Sequence, residues 1–122
     1  MGIKSFRDLE AWKQGIALVE HCYKATRHFP VEERYGLTGQ MRRAAVSIPS
    51  NVAEGKAIGG RAYLKHLRIA LGSEAELQTQ IELAVRLKML THIDGENLLS
   101  EASEVGRMLI SLLKSLTRTA RT

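Results

Sequence analysis

Between Leu98 and Leu116, apolar side chains recur in steps of four and three without a miss: Leu98, Ala102, Val105, Leu109, Leu112 and Leu116. That spacing keeps all six on one side of an α-helix. It cannot serve a strand, where one face takes every second residue. Leu99, Gly106, Ile110 and Leu113 form a second stripe alongside. The two stripes make a face wider than one partner helix can cover. Such a helix either lies deep in a bundle or buries part of its face against another subunit, and stripe width does not separate the two.

Three earlier segments carry the same period. Leu9, Trp12, Ile16, Val19 and Tyr23 mark a first helix, opened by a capping box at Ser5 and Asp8 and closed near His28 by Pro30. After a polar connection from Val31 to Tyr35, the residues Leu37, Met41, Ala44, Ile48 and Val52 mark a second. Pro49 lies inside it and predicts a helix kinked or broken there, since its ring clashes with the preceding turn and it lacks an N–H. Gly55, Gly59 and Gly60 read as its end and the next loop. The third helix runs from about Arg61 to Met89, with Tyr63, Leu67, Ala70, Leu77, Ile81 and Ala84 as its seam and Leu64, Leu71 and Val85 beside it. Gly72 in its middle predicts close approach of a neighbouring helix. Asp94 is the expected cap of the fourth. Short connections make neighbours antiparallel, so the expectation is an all-α, up-down-up-down four-helix bundle.

At 122 residues the chain is expected to be a single domain, residues 1–122. Aromatics are few, so Leu, Ile, Val and Ala must fill the core. Cys22 is the lone cysteine, which fits a reducing compartment and a small buried hydrophobe. The opening residues Met1 to Asp8 hold no apolar signal region, and Phe6 stands where a myristoylation pattern needs Ser or Thr. No apolar run approaches the roughly 18 residues needed to span a membrane. A cytoplasmic protein with no membrane association is the expectation.

The net charge of +5 is unevenly spread. Residues 42–68 hold Arg42, Arg43, Lys56, Arg61, Lys65 and Arg68 against Glu54 alone, whereas residues 69–106 are net −5. The tail adds Arg107, Lys114, Arg118 and Arg121. Arg61, Lys65 and Arg68 stand at i, i+4 and i+7, on one helical face, and Arg42 and Arg43 lie in the antiparallel helix before them. Positive charge at helical spacing is all that phosphate contact requires, because counterion release supplies the affinity. The five residues Arg42, Arg43, Arg61, Lys65 and Arg68 are therefore the candidate nucleic-acid-binding set. Against this stand a solvated face and pairing with acids of a neighbour; Arg42 or Arg43 equally suits a bridge to a carboxylate on another helix or subunit. Only Tyr63 is interleaved as an aromatic, so base-specific readout is not expected.

The block Tyr35-Gly36-Leu37-Thr38-Gly39-Gln40-Met41-Arg42-Arg43-Ala44-Ala45-Val46-Ser47-Ile48-Pro49-Ser50-Asn51-Val52-Ala53-Glu54-Gly55 resembles the bacterial four helix bundle protein family, known also from intervening sequences of large-subunit ribosomal RNA genes. The run Ala70 to Gln80 and the opening Phe6-Arg7-Asp8-Leu9 with Trp12 fit as well. Gly39 departs from the more usual Ser, and the Lys56–Gly60 loop is less charged than the pattern. The resemblance implies a four-helix protomer that assembles into a homo-oligomeric ring, typically a pentamer. It also implies an accessory role in one branch, where a protein of diversity-generating retroelements binds nucleic acid and a reverse transcriptase. It brings no catalytic residues.

Other constellations point to no enzyme. Arg61-x-x-x-x-His66 matches the short signature of the HEPN ribonucleases, but a five-residue step turns the two side chains roughly 140° apart on a helix. On that reading His66 is an exposed or rim residue. Ser47, Ser50 and Asn51 are better suited to satisfying carbonyls freed by Pro49 than to nucleophilic catalysis. Helical metal sites use Glu-x-x-His pairs, and the sequence has none. Neither a metal nor another cofactor is expected. The sequence thus predicts a non-enzymatic oligomeric scaffold or accessory protein that binds RNA or DNA, or a nucleic-acid-handling protein, through a basic surface. The alternative is a purely protein-binding structural module, and a HEPN-like ribonuclease is a distant third.

Overall fold

The computed structural model describes residues 5–121, with side chains described through Arg118. The leader and myristoylation readings on Met1 to Lys4, and the side chain of Arg121 in the basic tail, lie outside the described residues. Four helices carry the fold: α1 (Glu10–Thr26), α2 (Leu37–Ile58), α3 (Gly60–Arg86) and α4 (His92–Arg121). Short 3-10 turns precede α1 (Phe6–Asp8) and α2 (Val31–Glu33). Among the described residues there is no strand. Each helix packs against its neighbours in chain order, and α4 closes the ring against α1. Contacts run in opposite chain order between neighbours (Gly15 with Pro49 and Thr26 with Arg42, Ser47 with Ser73 and Gly55 with His66, Glu74 with Gly106 and Val85 with Gly95), so successive helices are antiparallel. The architecture is the expected up-down-up-down bundle.

The first helix starts later and faces elsewhere than the periodicity implied. The Ser5–Asp8 capping box is present, but it caps the 3-10 turn; Leu9 is extended and α1 begins at Glu10. The buried face is Ala11, Gly15, Leu18, Cys22 and Thr26. Trp12, Ile16 and Val19 are only half-buried, and Tyr23 is exposed. The cause is close packing. A side chain at Gly15 would place its Cβ 3.3 Å from the Pro49 ring, so the helices leave room there for no large residue.

Leu37, Met41, Ala44, Ile48 and Val52 are all buried, as their spacing required. Pro49 does not break α2, which is helical from Leu37 to Ile58. Asn51 donates to the Ser47 carbonyl at 2.8 Å, which is not the Ala45 carbonyl that Pro49 leaves without a donor. The Ser47 hydroxyl instead meets Ser73 Oγ on α3 at 2.8 Å. The α2–α3 turn is tight: Gly59 and Gly60 take φ of 81° and 58°, conformations that favour glycine.

The expected seam of α3 is buried throughout, but Gly72 is not a contact point. It is exposed, and nothing lies within 4 Å of where its Cβ would be. Close approaches occur instead at Gly55, where a Cβ would stand 2.9 Å from His66 Cβ, and at Gly106, where one would stand 3.0 Å from Glu74 Oε1. α3 ends at Arg86, short of Met89, in a Schellman motif. Met89 N–H donates to the Ala84 carbonyl and Lys88 N–H to that of Val85, with Lys88 at φ 62°. Thr91, not Asp94, caps α4: its hydroxyl accepts from Asp94 N–H at 3.1 Å. Along α4, Leu98, Ala102, Val105 and Leu109 are buried, Leu112, Leu113 and Leu116 are half-buried, and Ile110 is exposed. Among the described residues no helix is long and apolar enough to cross a membrane.

Candidate nucleic-acid interface

Arg61, Lys65 and Arg68 are exposed on α3, opposite its buried face of Tyr63, Leu67, Ala70 and Glu74. Among the described residues none of the three forms an ion pair. Their spacing puts three cations along roughly 10 Å of one helix, at 1.5 Å per residue. Lys56, near the end of α2, lies 5.9 Å over the Tyr63 ring and adds a charge at the same end. Tyr63 is buried, and burial raises its phenol above the usual value, so no stacking platform faces solvent here.

Arg42 and Arg43 are not part of that stripe. Arg42 turns toward α1, where its Nε donates to Thr26 Oγ1 at 2.9 Å and its guanidinium lies 4.4 Å over the Tyr23 ring. Within the chain it therefore completes the C-terminal turn of α1 by hydrogen bonding and cation–π contact, and no carboxylate among the described residues bridges to it. Arg43 is exposed and lines a shallow α2–α3 groove with Gln40, Ser47, Ser73 and Glu76. Glu76 lies two helical turns beyond Arg68, about 12 Å along α3. The structure thus keeps Arg61, Lys65 and Arg68 together and places Arg42 and Arg43 away from them, at the head of α2.

His66 faces α2, away from Arg61. Its Nδ1 lies 2.9 Å from Asn51 Oδ1 and 3.2 Å from Glu54 Oε2. With Ser47 and Ser73 these side chains form a polar seam along the α2–α3 contact, and His66 is largely buried rather than at the rim. The ring's role is to bridge helices, and Arg61 does not converge on it.

The periodicity reading missed Glu74. It sits on the buried face of α3, 4% exposed, against Gly106 of α4. Burial raises its carboxyl above the usual range, and a hydrogen bond from Gln78 Nε2 opposes that rise. Glu74 stands in the resembling run Ala70 to Gln80, so the signal was an acid at a seam position. Cys22 is fully buried, and desolvation pushes its thiol to about 11 despite the Arg42 charge. A wider cleft separates α1 from α4, lined by His21, His28, Asp94 and Glu101 and spanned by the His21–Glu101 pair. Among the described residues no group of three or more His, Cys, Asp or Glu side chains could hold a metal ion.

With the geometry in place, comparison with known proteins is informative about lineage. No curated protein matches the chain. A solved structure from Bacteroides thetaiotaomicron, a protein with unknown function from the S23 ribosomal protein family, shares the fold. It superposes with a TM-score of 0.76 at 22% identity, over 85% of this chain and 98% of that one. The family model for the 23S rRNA-intervening sequence protein matches residues 7–111, from the turn before α1 through most of α4. The chain therefore belongs to the 23S rRNA-intervening sequence protein family.

Proposed function

We propose that the protein is a non-enzymatic accessory or scaffold protein that works as an assembly of several copies. In this reading it binds RNA or DNA through the α3 stripe of Arg61, Lys65 and Arg68. The observation that carries this reading is three exposed cations on one helical face with no described carboxylate to neutralise them. Such a stripe attracts a phosphate backbone without reading bases, which suits a surface lacking exposed stacking aromatics.

Assembly is supported by apolar side chains the single chain leaves in solvent. These are Ile69 and Leu83 on α3, Leu87 just past its end, and Ile110 on α4. Each is about half exposed, so burying what remains would contribute roughly 0.7–1.5 kcal/mol apiece. Five copies in a ring is the number the family resemblance implies. Repetition around a ring would multiply the field of one stripe. The same apolar set favours the second reading, a protein-binding module without a nucleic-acid role.

The test is titration of fluorescent single-stranded RNA at several salt concentrations. The reading expects log affinity to fall linearly with log salt, and reversal of Arg61, Lys65 and Arg68 to Glu to abolish binding. Absent or salt-insensitive binding would establish the protein-binding module instead. RNA cleavage by wild type that disappears in His66→Ala would overturn the non-enzymatic reading.

A further inference from the structure

Three arginines gather around one groove at the head of α2. Arg34, Arg42 and Arg43 line one groove of about 470 Å³, with Tyr23 on its wall and Thr38 and Gly39 among its lining. Among the described residues no carboxylate pairs with any of the three. Glu33 Oε1 accepts from Leu37 N–H at 2.9 Å, and Glu76 lines an adjoining groove that Arg43 also borders. Three like charges in one groove repel each other unless an anion joins them.

The groove is also preorganised. Arg42 is fixed by Thr26 and the Tyr23 ring, so little side-chain freedom remains to be lost on binding. Gly39 has no side chain where one would crowd Arg43 Nη1 at 3.1 Å and the Arg34 carbonyl at 2.9 Å, so the Arg43 guanidinium lies back over α2 toward Arg34. Thr38 is 8% exposed, and its hydroxyl has no hydrogen-bond partner in the folded chain. An orphaned buried hydroxyl is uncommon, and a ligand oxygen reaching the floor would satisfy it.

From these observations we infer that the groove binds a phosphate monoester: the terminal phosphate of a nucleic acid or the phosphate of a free nucleotide. A monoester carries close to two negative charges and three equivalent acceptor oxygens, which three guanidiniums can share. An internal phosphodiester carries one charge and two free oxygens, and matches the open α3 stripe better. The volume admits a phosphate with its sugar. For a nucleic acid as the source, the inference rests on the reading given under Proposed function; the groove's own chemistry requires only the monoester.

The experiment titrates the full chain with one oligoribonucleotide in 5′-phosphate and 5′-hydroxyl forms, with adenosine monophosphate and with inorganic phosphate. The 5′-phosphate form should bind about tenfold tighter than the 5′-hydroxyl form, the scale of one or two charge-assisted hydrogen bonds. Arg34→Gln with Arg43→Gln, both exposed positions, should erase that difference while leaving 5′-hydroxyl binding within twofold. Thr38→Val should narrow it. Adenosine monophosphate displaced by inorganic phosphate supports the groove, and so does its binding when all RNA binding fails; the latter result removes only the α3 reading. Equal affinity for both oligonucleotides, with no binding of adenosine monophosphate or phosphate, overturns the inference. So does a 5′-phosphate preference that survives in the double variant.

Discussion

Gly72 and Gly55 both lie inside helices, and replacing each by alanine should move stability in opposite directions. Alanine in a helix interior gains roughly 0.5–1 kcal/mol over glycine, from backbone entropy lost by the unfolded chain. Nothing lies within 4 Å of the Cβ that Gly72→Ala introduces, so the full gain should appear. At Gly55 the new Cβ would stand 2.9 Å from His66 Cβ, 3.2 Å from Tyr63 Cδ1 and 3.2 Å from the Tyr63 carbonyl. Two of these three atoms are anchored to the α3 backbone and cannot swing aside, so α2 and α3 must separate. Overpacking of this kind costs roughly 1–3 kcal/mol. Separation also loosens the His66 contacts with Asn51 and Glu54. Net of the propensity gain, Gly55→Ala should lose about 1–2 kcal/mol. Urea denaturation followed by circular dichroism at 222 nm reads both, through a midpoint shift at constant slope. Stabilisation by Gly55→Ala, or destabilisation by Gly72→Ala, would refute the packing argument.

Three further outcomes follow from individual side chains. The folded-state pKa of Glu74 lies above its unfolded value of 4.5, so its ionisation favours unfolding, and this cost grows as pH rises through 4.5 toward the folded value. Glu74→Gln should therefore stabilise the protein more at pH 7 than at pH 4, and a pH-independent difference would contradict it. Cys22, with its thiol near 11 against an ordinary 9.0, should react with a disulfide reagent at pH 8 about a hundredfold more slowly in the folded protein than unfolded, from thiolate fraction alone. Lys88 sits at φ 62°, so Lys88→Gly should stabilise by about 0.5–1 kcal/mol, and a clear loss in thermal denaturation would count against the Schellman assignment.

The number, order and type of the helices were legible because long runs of apolar residues at steps of three and four allow one answer. Leu37 to Val52, Tyr63 to Ala84 and Leu98 to Leu109 bury as their spacing required. The first helix misled because the apolar side chains Trp12, Ile16 and Val19 flank the face that is buried, which Leu18 shares with Ala11, Gly15, Cys22 and Thr26. Hydrophobic size marks the seam only where helices leave room for it, and at Gly15 and Pro49 they do not. The cap of α4 misled because Asp94 has the right chemistry, yet the chain turns into the helix earlier, and Thr91 accepts its N–H. The α3 stripe was readable because its three members share one helix. The destinations of Arg42, Arg43 and His66 were not, because their surroundings lie on other helices and depend on the register of packing. Arg34 was invisible as a groove residue for the same reason, since only the fold brings it beside Arg42 and Arg43.

The most direct measurement is the salt slope of binding to 5′-hydroxyl single-stranded RNA, for wild type and for Arg61→Gln, Lys65→Gln and Arg68→Gln singly. If each cation contacts a phosphate, each variant should shallow the slope of log affinity against log salt by at least about 0.7, the counterion release of one single-strand contact. Slopes unchanged from wild type in all three variants would show that nucleic acid does not lie along α3.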